Sequence, residues 1–119
     1  MNLTLYGLPN CDTCRKARKW LDAAGIQYRF IDYRAEPVPA TTLKQWAHQL
    51  GGWDKLINKA STTWRQLPDT LKTPGSDARW TRLVAEHPTL IRRPVVERGD
   101  GSVSVGFSED RFKTLFGTR

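Results

Sequence analysis

The chain carries two cysteines, three positions apart, in Cys11-Asp-Thr-Cys14. A short apolar stretch, Leu3-Thr-Leu-Tyr6, and a turn-forming Gly7-Leu-Pro-Asn10 precede them. From Asp12 to Ala24, Ala17, Trp20, Leu21 and Ala24 recur at helical spacing. The pattern places Cys11 at the start of a helix. There the first backbone N–H groups lack intrahelical partners, and the positive end of the helix dipole faces the sulfur. Both favour the thiolate, which is the nucleophilic form. Cys14 lies one turn on, within reach of a mixed disulfide at Cys11. Cys11 is therefore the candidate nucleophile, Cys14 the candidate resolving thiol, and the chemistry thiol–disulfide exchange. Arg15, one turn along, and Arg93, far along the chain, are candidates for lowering the Cys11 pKa, while Asp12 opposes them. Asn10 and Thr13 are candidates to hydrogen-bond a bound anion or a leaving thiolate. Two ordinary buried cysteines are the competing structural reading. Zinc normally takes four ligands, and only His48 and His87 remain as soft partners, at no finger spacing. No metal site is expected.

The elements that must position these residues follow from the rest of the pattern. Leu3–Tyr6 reads as a buried strand, Gly7–Asn10 as a loop, Asp12–Ala24 as a helix and Tyr28–Asp32 as a second strand. Gly25 suits a left-handed helix end. Strand, helix and strand make one βαβ unit with a parallel pair and a right-handed crossover. Pro37 and Pro39 then interrupt the pattern. Thr41–Leu50 reads as a helix closed by Gly51-Gly52, Trp53–Leu67 as one or two short helices, and Asp77–Glu86 as a helix capped by Ser76. Trp46, Trp53, Trp64 and Trp80 recur through this block and suit its core. Strand signals return in Thr89–Glu97, followed by an Arg98-Gly-Asp-Gly101 hairpin turn and a partner strand, Ser102–Val105. Ser108 caps a last helix, Glu109–Phe116. The order gives an α/β class: a thioredoxin-like fold, βαβ plus β-hairpin-α, with a helical insertion at about 37–88 in one domain spanning 1–119. Such a sheet presents its reactive group at the C-terminal end of the first strand, where Cys11 stands.

Arg92-Arg93-Pro94 is the second constellation. Pro94 opens a strand facing the redox loop, the place of the cis-proline in thioredoxin-like folds, and cis bonds are almost confined to X-Pro. Arg92 and Arg93 beside it offer guanidinium forks to an oxyanion or carboxylate. Arg65, in Thr62-Thr63-Trp64-Arg65, either reaches the site or pairs with an acidic residue on its helix, and the second reading is favoured.

The 119 residues include 19 Lys and Arg against 12 Asp and Glu, a formal charge of +7. The basic residues are scattered, so they read as a solvated surface with anion attraction near the thiol; nucleic-acid binding is the minor reading. No segment approaches the roughly 20 apolar residues a membrane span needs, and no signal peptide is read at the N-terminus. A close cysteine pair without an export signal points to a reducing cytoplasm.

Three blocks resemble the arsenate reductase/Spx family, the ArsC-like family: Pro-Asn-Cys11-Asp-Thr-Cys14-Arg-Lys-Ala-Arg, His87-Pro-x-Leu-Ile-Arg-Arg93-Pro and Val105-Gly-Phe107-Ser-Glu109. The resemblance covers nearly the whole chain. It implies a thioredoxin-like fold with a helical insertion and a catalytic Cys11. Glutaredoxin-linked arsenate reductases of the family surround an oxyanion with three arginines. Arg93 matches one of them. Asn58 and Gly106 stand where the others are, with Lys59 the nearest stand-in, which counts against efficient arsenate reduction. The middle, Leu56–Leu67, resembles the YffB branch, which implies glutathione-linked thiol reduction with no bound cofactor and glutathione or glutaredoxin as partner. The Cys-x-x-Cys pair and Arg92 resemble Spx-type regulators, which implies the alternative of a redox switch binding the α subunit of RNA polymerase.

Overall fold

The computed structural model describes residues 3–117. It divides into two compact units: one runs up to Asp32 and resumes at Arg93, and the other is Tyr33–Arg92.

The first unit is built on a sheet of order β2-β1-β3-β4. β1 is Leu3–Gly7, β2 Arg29–Asp32, β3 Val95–Arg98 and β4 Val103–Val105; α1 is Asp12–Ala23, and α6, the last helix, is Glu109–Phe116. β1 runs parallel to β2 and antiparallel to β3, which pairs antiparallel with β4. This is the thioredoxin-like arrangement: a βαβ unit and a hairpin-helix sharing a central β1/β3 pair. Leu3, Leu5 and Gly7 alternate as the buried face of β1, as a two-residue period requires. Leu3, Leu5, Val96, Ala17, Leu21 and Phe112 form the core. Phe112 packs edge-on against Trp20 (centroids 5.4 Å), Phe107 (4.7 Å) and Phe116 (5.3 Å), a geometry that sets positive ring edges against negative faces. α1 stops at Ala23, and Gly25 follows with φ +71°, the left-handed exit read from the sequence.

The second unit holds α2 (Ala40–Leu50), α3 (Trp53–Leu56), α4 (Thr62–Gln66) and α5 (Asp77–Glu86). Trp80 lies between Trp53 and Trp64, stacked on them at 5.7 and 6.0 Å. Trp53 donates its indole N–H to Asp77 Oδ1 at 2.7 Å, so its polar edge is satisfied at the stack's margin. Among the described residues no helix is long and apolar enough to cross a membrane.

Two expectations change. Gly7 is the last residue of β1, paired with Asp32, rather than part of the loop. Thr89–Glu97 is not one strand: Pro88–Leu90 forms a 3₁₀ turn, Ile91 bridges Ile57 and the ladder starts only at Val95. Pro94 has no N–H to give the ladder, so the strand begins after it.

Phe112 should carry much of the first unit's stability. Phe112→Ala is expected to cost about 3–5 kcal/mol in urea unfolding, as large-to-small core changes do. A loss under about 1 kcal/mol would place the core elsewhere.

Candidate active site

Cys11 is the N-cap residue of α1, with extended φ −91° and ψ 124°. At three other helices this position is serine: Ser61, Ser76 and Ser108 each accept a hydrogen bond from the amide three residues on. A sulfur at the same place meets the same unpaired amides. It makes no capping hydrogen bond of ordinary geometry, yet the Cys14 amide still favours a negative charge on it.

Arg93 arrives from the far end of the sequence. In the antiparallel β1/β3 register Tyr6 faces Val95. Residues after Tyr6 and residues before Val95 therefore share one end of the sheet. Gly7 leads there to the Cys11 loop, and Pro94 to Arg93. The Arg93–Pro94 peptide is cis, and the Gly106 amide donates to the Pro94 carbonyl at 2.8 Å, tying β4 to the same corner.

The two thiols differ sharply. Cys11 is half-buried and Cys14 is buried, with 0% exposure. Burial pushes the Cys11 thiol up, but the Cys14 amide, the Cys14 thiol and the Arg93 guanidinium together outweigh it, and the net pKa is lowered. Cys14 moves the other way, pushed up to about 12 by burial and then by its neighbour Cys11, against a hydrogen bond from the Leu8 backbone and the charge of Arg93. The surroundings favour the thiolate at one sulfur and the protonated thiol at the other.

The remaining candidates divide. Asn10 is exposed in the turn before Cys11, and Thr13 is half-buried in the first turn of α1. Arg15 is directed to Asp12, at 3.4 Å, with Lys16 at 3.5 Å from the same carboxylate. It holds the Asp12 carboxyl below its usual range, and the charge acting on Cys11 comes from Arg93 instead. Arg92 and Lys59 belong to the second unit. The Arg92 amide donates to the Leu56 carbonyl at 2.8 Å. Lys59 pairs with Asp54 at 2.6 Å and lies 5.4 Å from the Trp64 ring. Reading residue types alone misses Gly7. Its β-carbon position is taken by the Cys14 sulfur, 2.5 Å away; a glycine ending an apolar strand, seven residues before a cysteine, is the available signal. Among the described residues no cluster of three or more His, Cys, Asp or Glu is placed to hold a metal ion.

A half-buried cysteine at a helix N-terminus, with a second, buried cysteine one turn on, stands at the end of the first strand of a thioredoxin-like sheet. Within this fold class residues 6–115 match the ArsC family, and the chain belongs to it. It is similar to the solved YffB (PA3664) protein, with 38% identity, 94% of this chain and 96% of that one covered, and a TM-score of 0.85. A solved arsenate reductase (ArsC) related protein from Brucella melitensis is 39% identical, covering 99% of this chain and 97% of that one, with a TM-score of 0.76. The global transcriptional regulator Spx of Bacillus subtilis is 33% identical over 113 residues, 93% of this chain and 84% of Spx.

Alkylation reads the two thiols directly. The rate follows the thiolate fraction, rising with pH and levelling above the pKa. With its pKa lowered, the Cys11 profile should lie at lower pH than that of a free cysteine, while Cys14 stays unmodified in the folded protein. Arg93→Ala should move the Cys11 profile to higher pH. A Cys11 profile matching free cysteine would contradict the assignment.

Proposed function

We propose that the protein is a cytoplasmic, glutathione-linked thiol–disulfide reductase of the ArsC family. The observation that carries this reading is the placing of the two thiols, Cys11 half-buried at the N-cap of α1 and Cys14 buried one turn on; the Cys14 amide, the Cys14 thiol and Arg93 favour a lowered Cys11 pKa, and burial pushes Cys14 up. The Cys11 thiolate attacks a disulfide, one substrate thiolate departs, and a mixed disulfide forms at Cys11. That step removes the negative charge from Cys11. One of the influences raising the Cys14 pKa then disappears, while Arg93 continues to lower it. Cys14 thus becomes easier to ionise only when it has a disulfide to resolve. Either Cys14 or glutathione attacks the Cys11 sulfur and releases the second thiol. Arg93 stabilises the thiolate or holds a substrate carboxylate or oxyanion. Asn10 and Thr13 serve as supporting hydrogen-bond donors, and Pro94 shapes the wall beside them. Glutaredoxin is the natural protein partner of such a cycle.

The 33% identity with a global transcriptional regulator favours a second reading. In it the same pair is a redox switch that changes affinity for the α subunit of RNA polymerase, with Arg92 as the matching arginine. True arsenate reduction is the weaker alternative. Lys59, the one basic residue offered in place of a missing arginine, is already paired with Asp54.

Turnover of a glutathione mixed disulfide separates these readings. Cys11→Ser should lose at least about a thousandfold in kcat/KM, since a hydroxyl cannot replace a thiolate in exchange. Arg93→Ala should lose roughly tenfold or more, the scale of about 1.4 kcal/mol. Turnover that persists in Cys11→Ser would overturn the proposal. A wild type without turnover, whose affinity for the polymerase rises or falls on oxidation, would favour the switch.

A further inference from the structure

β1 ends on a glycine that its backbone does not require. Gly7 is not among the glycines with positive φ. It sits in ladder register with Asp32 and is buried. A glycine there gives up side-chain packing and costs backbone entropy on folding. What requires it is space. A β-carbon at Gly7 would lie 2.5 Å from Cys14 Sγ, but 3.5 Å from both Cys14 Cβ and Phe30 Cε1. The last two are ordinary contacts; the first is about an ångström inside the roughly 3.5–4.0 Å optimum. The Cys14 sulfur therefore fills the volume that any other residue at this position would claim. The Leu8 backbone borders the sulfur too, and Cys11 is its reactive neighbour.

We propose that Gly7 is the positioning residue of the resolving thiol: its missing side chain is the seat of Cys14 Sγ in the dithiol state, and that seat sets how readily the Cys11–Cys14 disulfide closes. The proposal rests on the dithiol reading above. In the substrate half of the cycle the dithiol and a substrate disulfide give the protein disulfide and two substrate thiols, so two electrons pass to the substrate; two molecules of glutathione then return the dithiol and leave as glutathione disulfide. The Cys14 proton leaves with a departing thiolate. To bond, the two sulfurs must come within about 2.05 Å of each other, and in this proposal Cys14 Sγ makes the approach by leaving its place against Gly7. The glycine therefore favours the dithiol. A methyl group at Gly7 clashes with the seated sulfur, and closing the disulfide relieves the clash.

The test compares wild type with Gly7→Ala in titrations against reduced and oxidised glutathione, read by alkylation and intact mass, with urea unfolding of both redox forms. Gly7→Ala should shift the equilibrium toward the disulfide by about tenfold, which is ~30 mV. Oxidation should stabilise Gly7→Ala more than wild type. Gly7→Ala/Cys14→Ala should unfold at a midpoint no lower than that of Cys14→Ala, because the clashing sulfur is gone and alanine removes the glycine's entropy cost. A shift under about threefold or toward the dithiol, or equal destabilisation of both redox forms, would overturn the proposal. Gly7→Ala that folds only when oxidised supports it; Gly7→Ala that folds in neither form contradicts it. If the wild-type disulfide never closes, the dithiol reading fails and the proposal with it. If the wild type closes and Gly7→Ala is unshifted, the proposal alone fails.

Discussion

The balance between burial and stabilising partners at one sulfur, Cys11, is the interaction around which the first unit is arranged. An isolated thiolate in a half-buried position is unfavourable, because burial penalises the charged form. At Cys11 that penalty is the largest single influence, and it is overcome only by several favourable ones acting together. The start of α1 supplies unpaired amides. The β1/β3 register supplies Arg93, distant in sequence, because Tyr6 faces Val95. The Cys14 thiol supplies a hydrogen bond from below. Each contribution depends on a different element, so the ionised state of Cys11 reports on the β1–α1 junction and the β3 entry at once.

The buried partner follows from the same geometry. A residue three positions after an N-cap lies one turn on, and here it points inward: Cys14, Ala17 and Leu21 form the buried face of α1. Cys14 is thus a core residue and a chemical group together. Burial pushes its pKa up to about 12 and so favours the protonated thiol. Gly7 opposite it completes the arrangement from the strand side. Helix N-cap, helix core face and strand end converge on two sulfur atoms.

Much of this is legible in the residues. Asp77–Glu86 and Glu109–Phe116 appear with the expected bounds because serine caps and apolar spacing mark both. The βαβ unit is legible because its loop and helix carry strong punctuation in Pro9, Asn10 and Gly25. The stretch around Pro94 is less so: β-branched and apolar residues suggest one strand, while the missing proline N–H delays the ladder to Val95. Gly7 reads as a turn residue because it leads into Pro9-Asn10; its spacing of seven residues before Cys14 is a weaker signal than that turn composition. Spacing on α1 points Arg15 toward Cys11, but Asp12 on the same helix face offers it a nearer carboxylate. The Arg93 contribution needs a strand register that sequence spacing does not provide.

The central claim, that Cys11 attacks and Cys14 resolves, is tested most directly by trapping. Reduced Cys14→Ser protein is mixed with a slight excess of glutathione disulfide, quenched within seconds and mapped by peptide mass. The account requires one glutathione to accumulate on Cys11, while wild type under the same conditions passes on to the Cys11–Cys14 disulfide. No adduct on Cys11 of Cys14→Ser, or a wild type that accumulates the same stable adduct as Cys14→Ser, would contradict it.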